Sequence, residues 1–241
     1  MDHFVQAFLL KYSYLNVYLL TVFYFLFLYF IIGWLFNYCC EALRRLNITE
    51  LIVASQRPAK QTKQEIKHSL ISILVFGFSS FPVIFLYRNG FFKLEENTVS
   101  NILLGLLALN VWNEIHFFCI HRLMHLPFFL RHVHKIHHQS KIPSVWSVYS
   151  FHWLEAFLLS TVPLTLSLMF SLAPLAIALY PLNSILFNFS GHCNYRFASI
   201  KNTWLNMASR HVEHHQKTKV SFGFVSALLD KLFSTNKSSK I

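Results

Sequence analysis

The chain has 241 residues, 54% of them hydrophobic and only 13% charged, where an ordinary soluble domain carries about 25% charged residues. Its formal charge is +11, from 21 basic and 10 acidic residues, with the 14 histidines counted as neutral. No helix-turn-helix, zinc-finger or RNA-binding signature accompanies that charge, which argues against a nucleic-acid partner and leaves anionic lipid headgroups as its natural counterpart. The four cysteines, Cys39, Cys40, Cys119 and Cys193, form no CxxC pair and suggest no disulfide framework.

The apolar residues come in long runs. Tyr14 to Phe36 is 23 residues without a charge, and about 20 such residues cross the hydrocarbon layer as a helix. A secretory signal peptide is the competing explanation. This run is too long for one, has no basic flank ahead of it, and ends in Asn37-Tyr38-Cys39-Cys40 rather than a small-residue cleavage site. Further runs cover Ser69 to Tyr87, Val99 to Ile120 and Trp153 to Phe189. Pro163, Pro174 and Pro181 punctuate the last of these, and Pro174 stands where a hairpin between two shorter helices would turn.

The pattern predicts an all-α integral membrane protein of four to five transmembrane or re-entrant helices with a cytosolic, histidine-rich metal-binding cap. It forms a single membrane domain: a transmembrane anchor over 1–112, then a histidine-bearing region over 113–235 that includes a membrane hairpin at 153–189. The polar end, Ser234 to Ile241, is expected to fray. An alternating topology that starts outside leaves Lys11, Arg88 and Lys93 on the outer side. The other 18 of the 21 basic residues, Arg44, Arg45, Arg57, Lys60, Lys63 and Lys67 among them, then fall on the cytosolic side. Both polar blocks, 121–152 and the stretch from Gly191, face the same way. Bacterial plasma membrane and endoplasmic reticulum remain equally open.

The histidines sit in those blocks. His121 and His125 are four apart, on one face of a helix. His134, His137 and His138 form an HxxHH group, and the pattern returns as His211, His214 and His215; His192 lies between them. His3 and His68 read as ordinary residues, while His116 and His132 flank the groups without fitting their spacing. A lone histidine is seldom a ligand, but two HxxHH groups and an HxxxH on one membrane face point to metal. The i, i+3, i+4 spacing is expected to aim two or three rings at one point. Nine imidazoles are too many for one ion and suit two ions with four or five each. Imidazole also serves zinc, copper and nickel, so ligand type alone leaves the metal open. The few acids near the groups, Glu114, Glu155, Glu213 and Asp230, are candidates for orienting the ligands through their second ring nitrogen.

At these residues the chain resembles the fatty acid hydroxylase / sterol desaturase superfamily of membrane di-iron enzymes. Glu114 followed by HRLMH resembles that family's opening box, and HKIHH with SKIP its second. SFHWLEA, carrying His152 and Glu155, resembles its HPxE element with Trp153 in place of proline. SGHCNY resembles its isolated-histidine segment, and HHQKTKVSFGFVSALLDKLFST its closing pattern with Gly223, Asp230 and Thr235. The likeness covers about 113–235. It implies two iron ions, with zinc as a substitute in purified protein, held by His121, His125, His134, His137, His138, His192, His211, His214 and His215. Glu114, His152, Glu155 and Asp230 would stand behind those ligands, with no catalytic residue beyond them. It also implies O₂ as co-substrate, electrons from a separate cytochrome b5-like or ferredoxin/reductase donor, and a lipid substrate (sterol, fatty acyl or sphingolipid) to be hydroxylated or desaturated. Some members carry a second histidine four residues after the isolated one; here Arg196 occupies that position.

Phe117, Phe118, Phe128, Phe129, Tyr149 and Phe151 are candidates for lining a lipid entrance, with ordinary packing as the alternative for each. Two other classes compete. A membrane metal transporter would place its ligands near the bilayer midplane, whereas these lie at span ends. A zinc-dependent membrane hydrolase would need one metal and a general-base glutamate; Glu213 is available, but HExxH is absent.

Overall fold

The computed structural model describes residues 3–199 and 206–235, with the backbone alone at 3, 4, 6 and 7. The readings made for His3 and for the end of the tail lie outside what is described. A short helix α1 (His3–Leu10) leads into α2 (Tyr14–Phe27), capped by Ser13, whose side chain accepts from Asn16 N–H. One wider turn at Leu28–Ile32 joins α2 without a break to α3 (Gly33–Arg45). Tyr29 in that turn is fully buried, and its hydroxyl donates to Trp146 O at 2.7 Å. A single wide turn of this kind inserts a residue and re-aims the helix face, here toward the segment beside the second histidine group.

After a three-residue strand β1 (Thr49–Leu51) come α4 (Ala59–Gly77), α5 (Ser80–Arg88) and the long α6 (Val99–Met124), capped by Thr98. Among the described residues, three helical stretches are long and apolar enough to cross a membrane: Tyr14–Arg45, Ala59–Arg88 and Val99–Met124. Their outward faces fit that solvent. Leu15, Phe23, Trp34, Leu103, Leu104 and Leu107 are all more than half exposed, which water would penalise and lipid does not. At a rise of 1.5 Å per residue, the 26 residues of α6 reach about 39 Å, against about 30 Å of hydrocarbon. Its histidine-bearing end therefore has length to emerge. The helices also run past the apolar stretches of the sequence, to Arg45 at one end and back to Ala59 at another, because nothing breaks the helix where the polar residues begin.

The histidine-bearing half is built from short pieces: α7 (Pro127–His132), tight turns at His134–Gln139 and Val145–Ser147, α8 (Trp153–Leu159) and α9 (Val162–Ser167). Where a membrane hairpin was expected, a turn separates α9 from the next helix. It spans 168–173, and Pro174 takes the first position of α10 (Pro174–His192), where a missing N–H costs nothing. Strand β2 (Tyr195–Phe197) pairs antiparallel with β1, and Arg196 bonds Glu50 across the pair. The chain closes with α11 (Met207–Lys217) and α12 (Leu228–Leu232). The main core, with Leu28, Tyr29, Ile73, Phe76, Val148, Tyr149, Ile185 and Phe189, lies where α2, α4 and α10 meet the 145–151 segment. It holds the floor beneath the histidines.

Candidate metal centre

All nine histidines of the three boxes and the isolated segment converge in one interior. They divide into two groups, His121, His125, His134, His138 and His214 in one, His137, His192, His211 and His215 in the other. Within each group the nitrogen atoms lie within 4.8 Å of one another. The division runs through both HxxHH boxes. His134 and His138 join the first group while His137 joins the second; His211 and His215 join the second while His214 joins the first. Of the two or three rings that the spacing was expected to aim at one point, two in each HxxHH box do share a group, and the third crosses to the other. On α11 the reason is helical phase: positions i and i+4 are 40° apart, and i+3 lies 100° from i+4. Each HxxHH box serves both groups, while the HxxxH box serves the first alone, and the consecutive pairs 137/138 and 214/215 stitch the groups side by side. The His138 ring centroid is 4.9 Å from that of His214 and 5.0 Å from that of His215.

Four of the rings have a defined tautomer. Nδ1 of His121, His192 and His214 meets the backbone oxygens of Phe222 (2.9 Å), Asn188 (2.9 Å) and Val220 (2.6 Å), and Nδ1 of His134 meets Glu155 Oε1 at 2.7 Å. A carbonyl oxygen, or a carboxylate oxygen when ionised, only accepts, so Nδ1 then carries the proton and Nε2 presents its lone pair. Nε2 of His121, His134 and His214 is buried with no hydrogen-bond partner. Buried polar atoms are rarely left so.

The remaining nitrogens crowd in the same manner. Nε2 of His211 lies 2.9 Å from that of His192 and 3.0 Å from that of His215, and His138 and His125 approach at 3.3 Å. Ligands bound at about 2.1 Å to a common ion stand roughly 3.0–3.4 Å apart, so the spacing, the orphaned lone pairs and the all-nitrogen donor set fit two cations. Burial, the largest cause, holds the rings neutral, as ligation requires. His138 is pushed down to about 3, with His214 beside it adding to the effect, and His214 itself to about 4. His215 is driven well below the ordinary range by burial and by neighbouring His137.

The acids divide by role. Glu155 alone of them touches a ring of the two groups, and both it and His134 are buried. Glu114 and Asp230 act at one remove, on the loop that supplies the carbonyls. Glu114 accepts from the N–H groups of Val225 and Ser226 and from Ser226 Oγ. Asp230 accepts from Phe222 N–H (2.7 Å), Gly223 N–H (2.9 Å) and Thr235 Oγ1 (2.7 Å). A Cβ on Gly223 would stand 2.5 Å from Ser226 O and 2.9 Å from Asp230 Oδ2. Gly223→Ala is therefore expected to cost about 1–3 kcal/mol, read as a lower thermal midpoint together with weaker metal retention. A wild-type midpoint would show that the loop yields without effect.

His152 touches neither group. It caps α8, its Nδ1 accepting from Leu154 N–H at 3.2 Å, with Trp153 next at the first helical position. The cap starts the helix that carries Glu155 without a proline. His116 bonds Thr161, His132 folds onto Phe128 O, and Glu213 is tied to Lys217 on the exposed face of α11. Glu65 was not singled out by sequence. It is buried on α4, where it accepts from Gln61 and Ser144 and so fastens the segment after the second box. The carbonyls of Phe222, Val220 and Asn188 carry no sequence signal at all, since every residue has one.

An apolar cavity of about 90 Å³ adjoins the centre, lined by Phe25, Phe76, Phe117, Tyr149, Phe151, Tyr180 and Phe224 among others. A smaller one of about 10 Å³ is lined by His121, His134, His137, His192 and Glu155. Phe117, Phe151, Leu159 and Asn188 line both, so the two are consecutive. Of the aromatic residues expected at an entrance, Phe117, Tyr149 and Phe151 are there. Phe118 packs on Phe233 instead, and Phe128 is exposed against Phe129 and His132.

Among curated proteins, the chain is 24% identical over 209 residues to the Delta(7)-sterol 5(6)-desaturase erg3C of Aspergillus fumigatus, covering 73% of this chain and 63% of that protein. It is 23% identical over 180 residues to lathosterol oxidase of Rattus norvegicus, covering 71% and 60%. It is 28% identical over 128 residues to the fatty acid hydroxylase ahd1 of Mycosarcoma maydis, covering 53% and 32%. The chain thus spans less than two thirds of the length of these relatives. No solved structure matches it significantly. The model of the fatty acid hydroxylase family matches residues 106–235, from the middle of α6 through the last partner of Asp230, and on that match the chain belongs to this family.

Proposed function

We propose that the protein is a membrane di-iron oxidoreductase that hydroxylates or desaturates a lipid with O₂ and electrons from a separate donor. The observation that carries this reading is the pair of buried imidazole groups, five and four strong, opening onto an apolar cavity. Two irons, when bound, supply O₂ activation and removal of hydrogen from an unactivated C–H bond.

The chain's own residues supply the rest. Glu155 and the carbonyls of Phe222, Val220 and Asn188 hold the Nδ1 protons of their histidines, which keeps each Nε2 lone pair inward. Phe117 and Phe151 stand between cavity and histidines, where they exclude water and confine an alkyl chain. The sterol- and fatty-acid-directed names of the relatives support a lipid substrate. The three long apolar stretches and the basic excess on one side support a multi-pass protein with its centre toward the cytosol. A cytochrome b5-like or ferredoxin-type donor would dock there. Glu213, exposed and paired with Lys217, is badly placed as the base of a zinc hydrolase.

The test is elemental analysis of detergent-purified protein reconstituted anaerobically with ferrous iron. About two irons per chain are expected from the two groups of ligands, followed by O₂- and reductant-dependent oxidation of an added lipid. A single zinc per chain with no uptake of iron would overturn the reading.

A further inference from the structure

The wall of the larger cavity carries a polar group that bonds to none of the described residues. Asn113 sits on α6 two turns before His121 and is 6% exposed. It lines the cavity, and its carboxamide makes no hydrogen bond to any described residue. The amide faces the cavity without a protein partner, so it is open to a ligand group that leucine at the same place could not bond. On α10, Asn188, which lines the same cavity, donates through Nδ2 to Ser184 O at 3.1 Å. Its Oδ1 has no partner among the described residues, and the residue lines both cavities. No lysine or arginine lines either space. Beside the amides a carboxylate or phosphate would find no side-chain counter-charge, whereas two amides offer both donor and acceptor to a neutral oxygen.

We propose that Asn113 and Asn188 form a polar clamp that reads a neutral oxygen, such as a hydroxyl or an ether or ester oxygen, on an otherwise apolar lipid. The proposal rests on the cavity being the substrate's path to the metals and adds what that substrate must carry. Asn188 is one helical turn and Asn113 two turns short of the histidines on their own helices, about 6 and 12 Å along the axes. The carbon oxidised therefore lies roughly 6–12 Å from the clamped oxygen. The clamp sets which carbon of the lipid reaches the centre, and a free acid does not enter headgroup first.

The test is binding rather than turnover. Full-length, zinc-loaded protein in detergent is titrated with hexadecane, hexadecan-1-ol and palmitate and followed by native mass spectrometry. Wild type is expected to prefer the alcohol to both others by about tenfold, the effect of one buried hydrogen bond. Asn113→Leu should bring the alcohol-to-alkane ratio close to one while holding the alkane at least as well. Asn188→Leu should lower the ratio independently, which keeps the test open if the first variant does not fold. Equal binding of alkane and alcohol by wild type, a preference for palmitate, or an undiminished ratio in both variants would overturn the clamp. Iron uptake measured on a metal-free preparation of the same protein separates the two ideas. Iron bound without discrimination removes the clamp alone, and discrimination without iron supports the clamp while removing the oxidation chemistry.

Discussion

Replacing His192 and His211 together by alanine is expected to halve the metal content, from about two ions per chain to about one. The second group holds four imidazoles, so the double variant leaves only His137 and His215 there, fewer than the three protein ligands of an open metal site. The first group keeps all five of its rings. Single substitution should behave asymmetrically for the same reason. His121→Ala leaves four ligands in the five-membered group and should retain both ions through purification, whereas His192→Ala leaves three in the other and should lose one to a mild chelator. Lipid oxidation should fall at least on the order of a hundredfold in the double variant, beyond what loss of an outer partner costs. Loss of both ions in the double variant would mean that the groups do not bind independently, and the division described above would be wrong as a statement about metals.

That division shows where sequence reasoning reached its limit. The spacing of His121 and His125, and the repetition of HxxHH at 134–138 and 211–215, place rings on the faces of local turns, and local periodicity is legible without a fold. Which ring of a box belongs to which group is not. It depends on the approach of α11 to the turn at His134–Gln139, a contact between segments more than 70 residues apart. The acids were nameable because so few exist, yet their roles were not separable. Glu155 reaches a ring, while Glu114 and Asp230 hold the backbone of 222–226 and nearby hydroxyls. Residues that act through a carbonyl, such as Val220, have no side-chain signature. Asn113 and Asn188 carry no signal for a different reason: a single polar residue in an apolar run is unremarkable until the structure shows its side chain lining a cavity with bonding capacity unused among the described residues. The long spans were legible because crossing a bilayer demands a length and a composition that few other constraints impose.

Glu155→Gln is expected to move the metal-free and the metal-loaded protein in opposite directions. Its Oε1 holds His134 Nδ1 at 2.7 Å, while Oε2 is buried with no partner. Without metal, a carboxylate in that interior is incompletely compensated, and a neutral amide of the same shape removes much of the cost. The metal-free variant should therefore melt at or above the wild-type temperature. With metal the balance reverses. Nine neutral imidazoles do nothing to offset the charge of two cations, and Glu155 is the one carboxylate seen touching a ring of either group. Loss of a partner of this kind typically weakens metal binding 10- to 100-fold, about 1.4–2.7 kcal/mol, and the stabilisation conferred by saturating metal falls by the same amount. Paired melting curves with and without metal read both effects at once. A variant less stable than wild type in the absence of metal, with an unchanged metal-induced shift, would mean that Glu155 is a packing residue that happens to meet His134. The expected crossing of the two curves would mean that its buried charge is kept for the sake of the cations it faces.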